Sequence, residues 1–235
     1  MEIFKETAEN PKIAKQFSEN DRYMRCKGHA ISSMANQDLK EINLSECSQL
    51  YSFLTRMDFH NNQIEKVPED FFQVLTSLEY LNLSKNRISA LPGGIGNQTD
   101  LAEIDVSDNQ LTSLPADISK LKDSLIYLDI SNNPLHDLPE CIFACVKLED
   151  LIAENIGVLG NIVNLKNLKE LKNLNLGFNS IEKIPDELGD LPLTHLNLSG
   201  VPLVPNMNYT SLLMFTKALS RNMVTASIDV RFSTI

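Results

Sequence analysis

Apolar and polar positions repeat along the middle of the chain with a period of about two dozen residues. Three successive segments, which begin at Leu78, Leu101 and Leu125, align without gaps as [LI]-x-x-[LI]-x-[LVI]-x-x-Asn-x-[LI]-x-x-Leu-Pro-x-x-Ile. The pattern continues upstream from Leu54 and downstream from Leu171. The first leucines of all the segments lie at positions 54, 78, 101, 125, 148, 171 and 193, so the steps are 24, 23, 24, 23, 23 and 22 residues.

The pattern itself predicts a stack of similar coils. Within each coil, leucines at the fourth and sixth positions alternate with polar residues, as in a short strand with one buried face. Strands from successive coils are expected to stack at about 4.8 Å into a parallel sheet that lines a concave side. A Leu-Pro step then returns the chain on the convex side, where proline is tolerated because it lies outside the ladder. The ninth position suits a buried amide that bonds the backbone, and it is filled by Asn62, Asn86, Asn109, Asn133 and Asn179.

This repeat resembles the leucine-rich repeat, over roughly residues 39 to 204. Its second half is similar to the intracellular subclass found in Ras-binding repeat scaffolds, the Ras suppressor protein, Scribble-type polarity proteins and Roco proteins. The resemblance implies an α/β leucine-rich-repeat solenoid, a curved right-handed coil of about seven to eight repeats with helical end caps. It also implies a protein-binding role.

Two parts of the repeat array depart from the pattern. In the coil from Leu148 the ninth position holds Ile156, but the coil length is kept, so we expect a local distortion without a domain break. The segment Leu39-x-x-Ile42-x-Leu44-x-x-Cys47 also fits the start of a coil, yet it lies only 15 residues before Leu54. Either this segment is a cap with its own geometry, or part of a full repeat is missing.

The flanking segments divide the chain into three parts. Residues 1–37 are polar with sparse apolar positions, which suits a cap of one or two helices or a partly disordered segment. Residues 38–205 form the leucine-rich-repeat domain. In residues 206–235, one helical face from Tyr209 to Met223 is apolar, and an alternating, strand-like tail begins at Val224.

Composition and charge limit the class of partner and the compartment. The net charge is −10 and the pI is near 4.9, which disfavours nucleic acid or an anionic membrane and favours a basic or mixed protein surface. The chain has no apolar run of eighteen residues, and its first ten residues lack the apolar segment of a secretory signal. The four cysteines are too scattered for a disulfide framework. We therefore expect a cytoplasmic protein with free thiols and no membrane insertion.

No catalytic, cofactor-binding or metal-binding motif is found in the sequence. It contains no GxxxxGK[ST], HExxH, GxSxG or dinucleotide-binding pattern. Cys141 and Cys145 lie four residues apart with His136 just upstream, but a buried role for Cys145 on the convex side is the stronger interpretation. We therefore expect that the protein is not an enzyme.

The outward positions of the predicted strands are rich in acidic and aromatic residues. Tyr80 and Tyr127 flank Glu103 across three neighbouring coils, and tyrosines supply binding area at low entropy cost. The alternative is that acidic strand residues only keep a solenoid soluble. We favour a partner-binding surface, which consists of Asp58, Tyr80, Glu103, Asp105, Tyr127, Asp129 and Asp150.

The leading functional hypothesis is a non-catalytic scaffold that binds a partner protein through this acidic face. By resemblance, the partner is a small Ras-like GTPase, a phosphatase or a polarity component. A second hypothesis is the repeat region of a larger multidomain signalling protein, such as a Roco-type GTPase or an immune receptor, with its catalytic part elsewhere. A third, a hydrolase or ligase with a cysteine nucleophile, needs a low-pKa thiolate beside a base, and the sequence shows no such pair.

Overall fold

The computed structural model describes residues 25–26, 29–42, 54–181 and 184–201. In this part of the chain, eight successive coils each contribute one short strand to a nine-stranded sheet whose order follows the chain, and the remaining strand precedes the first coil. The first pair is antiparallel, and all later neighbours are parallel. The strands of this sheet are β1 (Arg25–Cys26), β2 (His29–Ser33), β3 (Leu54–Asp58), β4 (Tyr80–Asn82), β5 (Glu103–Asp105), β6 (Tyr127–Asp129), β7 (Asp150–Ile152), β9 (Asn173–Asn175) and β11 (His195–Asn197). Strands β8 (Val158–Leu159) and β10 (Ser180–Ile181) form a separate parallel pair.

Short helical turns return the chain from one strand to the next. Pro115, Pro139 and Pro185 each directly precede a 3₁₀ helix, and the fixed φ of proline suits this step. No helix in the described part of the chain is long and apolar enough to cross a membrane. In that part the returns contain the α-helix α1 (Phe71–Val74) and 3₁₀ helices at Ile95–Asn97, Ala116–Leu121, Glu140–Ala144, Ile162–Asn167 and Asp186–Asp190.

The apolar positions of every described coil share one continuous interior. Their side chains form a single buried cluster that extends from Ile42 to Val201. Leu81, Ile104 and Leu128, at the fourth position of successive coils, are at most 1% exposed. Burial of each such side chain contributes about 1.5–3 kcal/mol relative to exposure. The predicted leucine-rich-repeat solenoid with its parallel sheet is thereby confirmed.

The buried asparagines at the ninth position connect adjacent coils. Asn109 shows the arrangement: its Nδ2 donates to the carbonyl oxygens of Leu83 in the preceding coil and Val106 in its own coil, at 2.9 and 3.1 Å. Its Oδ1 accepts the backbone N–H of Ile88, again in the preceding coil, at 2.9 Å. The predicted backbone-bonding role of this amide is confirmed.

The coil from Leu148 is distorted only locally. Because Ile156 replaces the asparagine, the backbone N–H of Leu135 in the preceding coil donates instead to the Asn133 carbonyl oxygen at 2.8 Å. Strand β7 nevertheless pairs with β9 in regular register. The expected distortion without a break in the stack is therefore confirmed.

The interpretation of Leu39 as the first residue of a coil is wrong. In the pairing of β2 with β3, Ser32 lies opposite Met57, which puts Ser32 at a fourth position. Leu39 then occupies the eleventh position, and its N–H donates to Asn62 Oδ1 at 3.0 Å, as eleventh positions do in other coils. The coil therefore begins near His29, a full repeat before Leu54, so neither a short cap nor a missing piece is needed.

The helical N-terminal cap is also wrong for residues 25–26 and 29–33, which are strands. A β-strand at this end pairs with the next coil through its backbone, so the sheet itself continues into the segment. The remaining predictions for residues 1–24, for Leu44 and Cys47 and for residues 206–235 lie outside the described residues.

Candidate functional site

The concave face is formed by the outward side chains of the sheet, at the third and fifth positions of each coil. Because the strands are parallel and in register, side chains at one position form a row with a spacing of about 4.8 Å. The third row contains Arg56, Tyr80, Glu103, Tyr127, Asp150, Asn173 and His195. The fifth row contains Asp58, Asn82, Asp105, Asp129, Ile152, Asn175 and Asn197.

Where the fifth row holds Asp or Asn, the side-chain oxygen closes a turn at the end of the strand. Asp105 Oδ1 accepts the Ser107 backbone N–H at 3.0 Å and the Ser107 hydroxyl at 2.7 Å. Asp129 Oδ1 accepts the Ser131 N–H at 2.9 Å. Such Asx turns are made equally by Asn, and here neutral side chains make the same bond in three other coils, at Asn82, Asn175 and Asn197. The turn therefore does not require the negative charge of an aspartate.

The third row contains a stacked cation at its N-terminal end. The guanidinium carbon of Arg56 lies 4.0 Å from the ring centroid of Tyr80, within the range of a cation–π interaction. The same guanidinium is 3.9 Å from Glu103 Oε2, which lies one coil beyond Tyr80 and two coils beyond Arg56. The Tyr80 hydroxyl accepts a hydrogen bond from Asn82 Nδ2 at 3.1 Å, which fixes the ring.

A hollow of about 330 Å³ lies between the two tyrosines. Of the seven predicted site residues, five line it: Tyr80, Glu103, Asp105, Tyr127 and Asp150. The other two lie beside it in the fifth row.

Asp129 is on β6, directly opposite Asp105 in the ladder. Asp58 is on β3, where its Oδ1 contacts His60 Nδ1 at 2.9 Å. Each of the two is therefore on the concave face but outside the hollow.

Burial and like charge together control protonation around Tyr127. Burial is the main cause that raises the pKa of the Tyr127 hydroxyl, and the carboxylates of Asp129, Asp105 and Asp150 raise it further. The pKa of Asp129 is also raised, first by burial and then by Asp105 and Asp108, although hydrogen bonds from Ser131 lower it. Burial likewise raises the pKa of Tyr80. Both tyrosines are therefore neutral near pH 7, in a negative environment.

Sequence reasoning missed two second-position residues that line the hollow, Ala102 and Ile126. Ile126 is 43% exposed, unusual for a large aliphatic side chain in this fold. The signal was available, since the second position is polar in the coils of Thr55, Glu79 and Lys172. The outward positions predicted from the sequence are the third, fifth, seventh and eighth, and the second is not among them.

Among the described side chains, Cys141, Cys145, His60 and His195 are placed unfavourably for nucleophilic chemistry. Cys145 is fully buried in the core. Burial raises the pKa of the Cys145 thiol to about 12 and that of Cys141 to about 11, which disfavours the reactive thiolate. His60 follows the end of β3 and His195 lies on β11, and five strands of the sheet lie between β3 and β11. In the described ranges, no three His, Cys, Asp or Glu side chains are grouped to hold a metal ion.

Comparison with known sequences finds a family model described as "Leucine-rich repeat region", which matches residues 39–196. Lumican of Gallus gallus is 42% identical over 53 residues, which is 22% of this chain and 16% of lumican. Lumican of Coturnix japonica matches to the same extent. The chain thus spans about a sixth of the curated relatives that it matches.

Comparison with solved structures finds other leucine-rich-repeat proteins. A leucine-rich-repeat protein of Leptospira interrogans has a TM-score of 0.69 and 23% identity, over 96% of this chain and 59% of that protein. The internalin InlF of Listeria monocytogenes has a TM-score of 0.62 and 23% identity, over 79% of this chain and 52% of the internalin. Internalin C2 of the same organism has a TM-score of 0.62 and 19% identity, over 84% of this chain and 80% of the internalin. At these identities the likeness concerns the fold.

Proposed function

Since the chain belongs to the leucine-rich-repeat family, we propose that it is a non-catalytic scaffold that binds a basic or mixed protein surface on its acidic concave face. Leucine-rich-repeat proteins typically mediate protein–protein interaction. The residues that we assign to the contact are Asp58, Tyr80, Glu103, Asp105, Tyr127, Asp129 and Asp150.

The main support for this proposal is that the fifth row contains Asp105 and Asp129 where other coils contain Asn. Asn82, Asn175 and Asn197 close the same turn without charge. Asp105 and Asp129 lie directly opposite each other, an arrangement of like charges that disfavours folding. A feature that the turn does not need and that opposes stability is well explained by electrostatic recognition of a partner.

The hollow gives this charged face an apolar centre. Tyr80, Tyr127 and Ile126 supply aromatic and aliphatic area, and the carboxylates surround it. Binding hot spots combine such anchors with a charged or polar rim. The combination supports a contact surface better than uniform charge for solubility does.

The proposal includes a cytoplasmic site of action and a role in intracellular signalling. The Leu-Pro step in the returns of the coils from Leu78, Leu101 and Leu125 supports it by resemblance to the intracellular subclass. The thiols of Cys141 and Cys145 are free, as in a reducing compartment. By that resemblance, a Ras-like GTPase, a phosphatase or a polarity component is the partner to seek.

The test removes two carboxylate charges from the concave face and keeps the side-chain oxygens that close the turns. We expect the double variant Asp105→Asn/Asp129→Asn, used as bait in a cytosolic extract, to retain at most about a tenth of the partner that the wild type retains. Partners are identified by crosslinking and mass spectrometry, and their affinity is then measured with purified proteins.

A matched control makes the same change in net charge away from the concave face. Asp100 and Asp123 are exposed and precede the first position of the next coil, so we expect Asp100→Asn/Asp123→Asn to retain the partner. Equal retention by both double variants and the wild type means that the partner binds elsewhere.

A further inference from the structure

The third row of the concave face contains one tyrosine with a stacked arginine and a second tyrosine without one. Arg56, Tyr80 and Glu103 occupy this position in three successive coils, and the arginine lies over the ring and reaches the glutamate beyond it. Two coils further on, the same geometric relation holds for Glu103, Tyr127 and Asp150. Here carboxylates occupy both sides of the ring.

Both tyrosines are at the third position of their coils. Tyr127 has an anion on each side in this row, whereas Tyr80 has a cation on one side and an anion on the other. Among the described residues, no arginine or lysine is stacked on Tyr127. Its hydroxyl stays neutral, so its ring offers a neutral π face. The fifth row adds the carboxylates of Asp105 and Asp129 at its side. The hollow beside this ring thus lacks the positive charge that the equivalent place on Tyr80 has.

We propose that the hollow between Tyr80 and Tyr127 binds an arginine side chain of the partner protein, stacked on Tyr127 as Arg56 is stacked on Tyr80. This inference rests on the proposed function, because it names the chemical group that the concave face recognises. The flat guanidinium stacks on an aromatic ring and still donates in its own plane. Glu103 and Asp150 lie on either side of Tyr127, with backbones about 9–10 Å apart across two strand spacings. Glu103 Oε2 faces Arg56, and Asp150 Oδ1 accepts from Asn173 Nδ2. The second oxygen of each carboxylate is therefore the acceptor for those bonds.

The size and lining of the hollow fit one side chain. Its volume of about 330 Å³ is at the lower end of ligand pockets, too small for a large ligand. Ala102 and Ile126 line it beside the ring and give the aliphatic stem of an arginine an apolar contact. A lysine would match the charge, but its ammonium is compact, strongly hydrated and unable to bridge two carboxylates in a plane.

The test compares short peptides of equal charge in a titration followed by NMR. The probes are acetyl-Gly-Ser-X-Ser-Gly-amide with X as arginine, lysine or trimethyl-lysine, added to the full chain. We expect the arginine peptide to bind about threefold to tenfold more tightly than the lysine peptide. Binding should shift the methyl resonances of Ile126, because that side chain lines the hollow.

Two variants separate ring stacking from charge. Tyr127→Phe keeps the ring and should keep the preference for arginine, whereas Tyr127→Leu should remove it and leave a weak, salt-sensitive binding of both peptides. The third position accepts Asp150 and Asn173 in the next coils, so the fold tolerates a change there, and a circular dichroism melt checks this.

The outcomes distinguish this inference from the proposed function. Equal binding of the arginine and lysine peptides, tighter binding of trimethyl-lysine, or an unchanged preference in Tyr127→Leu overturns the arginine assignment. In each of these cases, the proposed function still holds if Asp105→Asn/Asp129→Asn fails to capture the partner protein. Conversely, selective arginine binding with undiminished capture by that double variant supports the arginine hollow and removes the acidic face as the determinant of partner capture.

Discussion

At the scale of single residues, Asp129 serves the turn and opposes stability through its charge. Its Oδ1 accepts the Ser131 N–H, yet burial and the nearby carboxylate of Asp105 raise its pKa. A carboxylic acid whose pKa is raised in the folded state stabilises the fold while it is protonated. That contribution is complete below the ordinary pKa of Asp, about 3.9, and is lost as pH rises through the folded pKa.

The variant Asp129→Asn is therefore expected to be more stable than the wild type near pH 7. The amide oxygen can still accept the Ser131 N–H, as Asn82 does in its own coil. The gain should vanish as pH falls below the ordinary pKa of Asp, where the wild-type side chain is neutral too. Urea unfolding at several pH values measures it.

The control for this prediction is Asp123→Asn, because the Asp123 side chain is 74% exposed. Its effect on the free energy of unfolding should stay within about 0.5 kcal/mol at every pH. A neutral-pH gain that is as large in Asp123→Asn, or that persists in acid, contradicts the assignment to Asp129.

At the scale of the coil, the sequence pattern correctly predicted the position of each residue in the regular repeats. It gave the wrong register where the repeat pattern was weak. The coil near His29 has Ser32 and Gln37 at its fourth and ninth positions, where regular coils have an apolar residue and Asn. Leu39 and Ile42, at the eleventh and fourteenth positions, have the same three-residue spacing as a first and fourth position. Spacing alone cannot separate the two registers, whereas the hydrogen bond from Leu39 to Asn62 does.

The buried asparagines at the ninth position are expected to contribute more to the free energy of unfolding than exposed asparagines do. Asn109→Ala removes the partner of the Ile88 N–H and of two or more carbonyl oxygens in the interior. We expect a loss of about 1–3 kcal/mol in the free energy of unfolding, measured by urea titration. Asn97→Ala, at an exposed position of a 3₁₀ helix, is the matched control and should change it by less than about 0.5 kcal/mol. Similar losses in both variants would show that the ladder is not a major source of stability.

At the scale of the whole molecule, repetition made the composition of the concave face predictable, because equal spacing puts equal positions in rows. Contacts between side chains in different rows, or on different coils, could not be predicted from this spacing. Arg56 reaches across Tyr80 to Glu103, and Ile126 enters the hollow from the second position. Such contacts depend on the rotamers of long side chains, which a positional pattern does not specify.

The rows of like charge also predict how the whole solenoid responds to salt. Asp105 and Asp129 lie directly opposite each other in a chain of net charge −10, and directly opposed like charges destabilise a sheet by about 0.2–1 kcal/mol. Salt screens this repulsion, since the Debye length falls from about 10 Å at 0.1 M to about 3 Å at 1 M. We expect the urea midpoint of the wild type to rise with sodium chloride, and to rise less in Asp105→Asn/Asp129→Asn. Asp100→Asn/Asp123→Asn, with the same net charge, should respond as the wild type does. If both double variants lose the response equally, net charge alone is responsible, and the opposed pair has no special part in it.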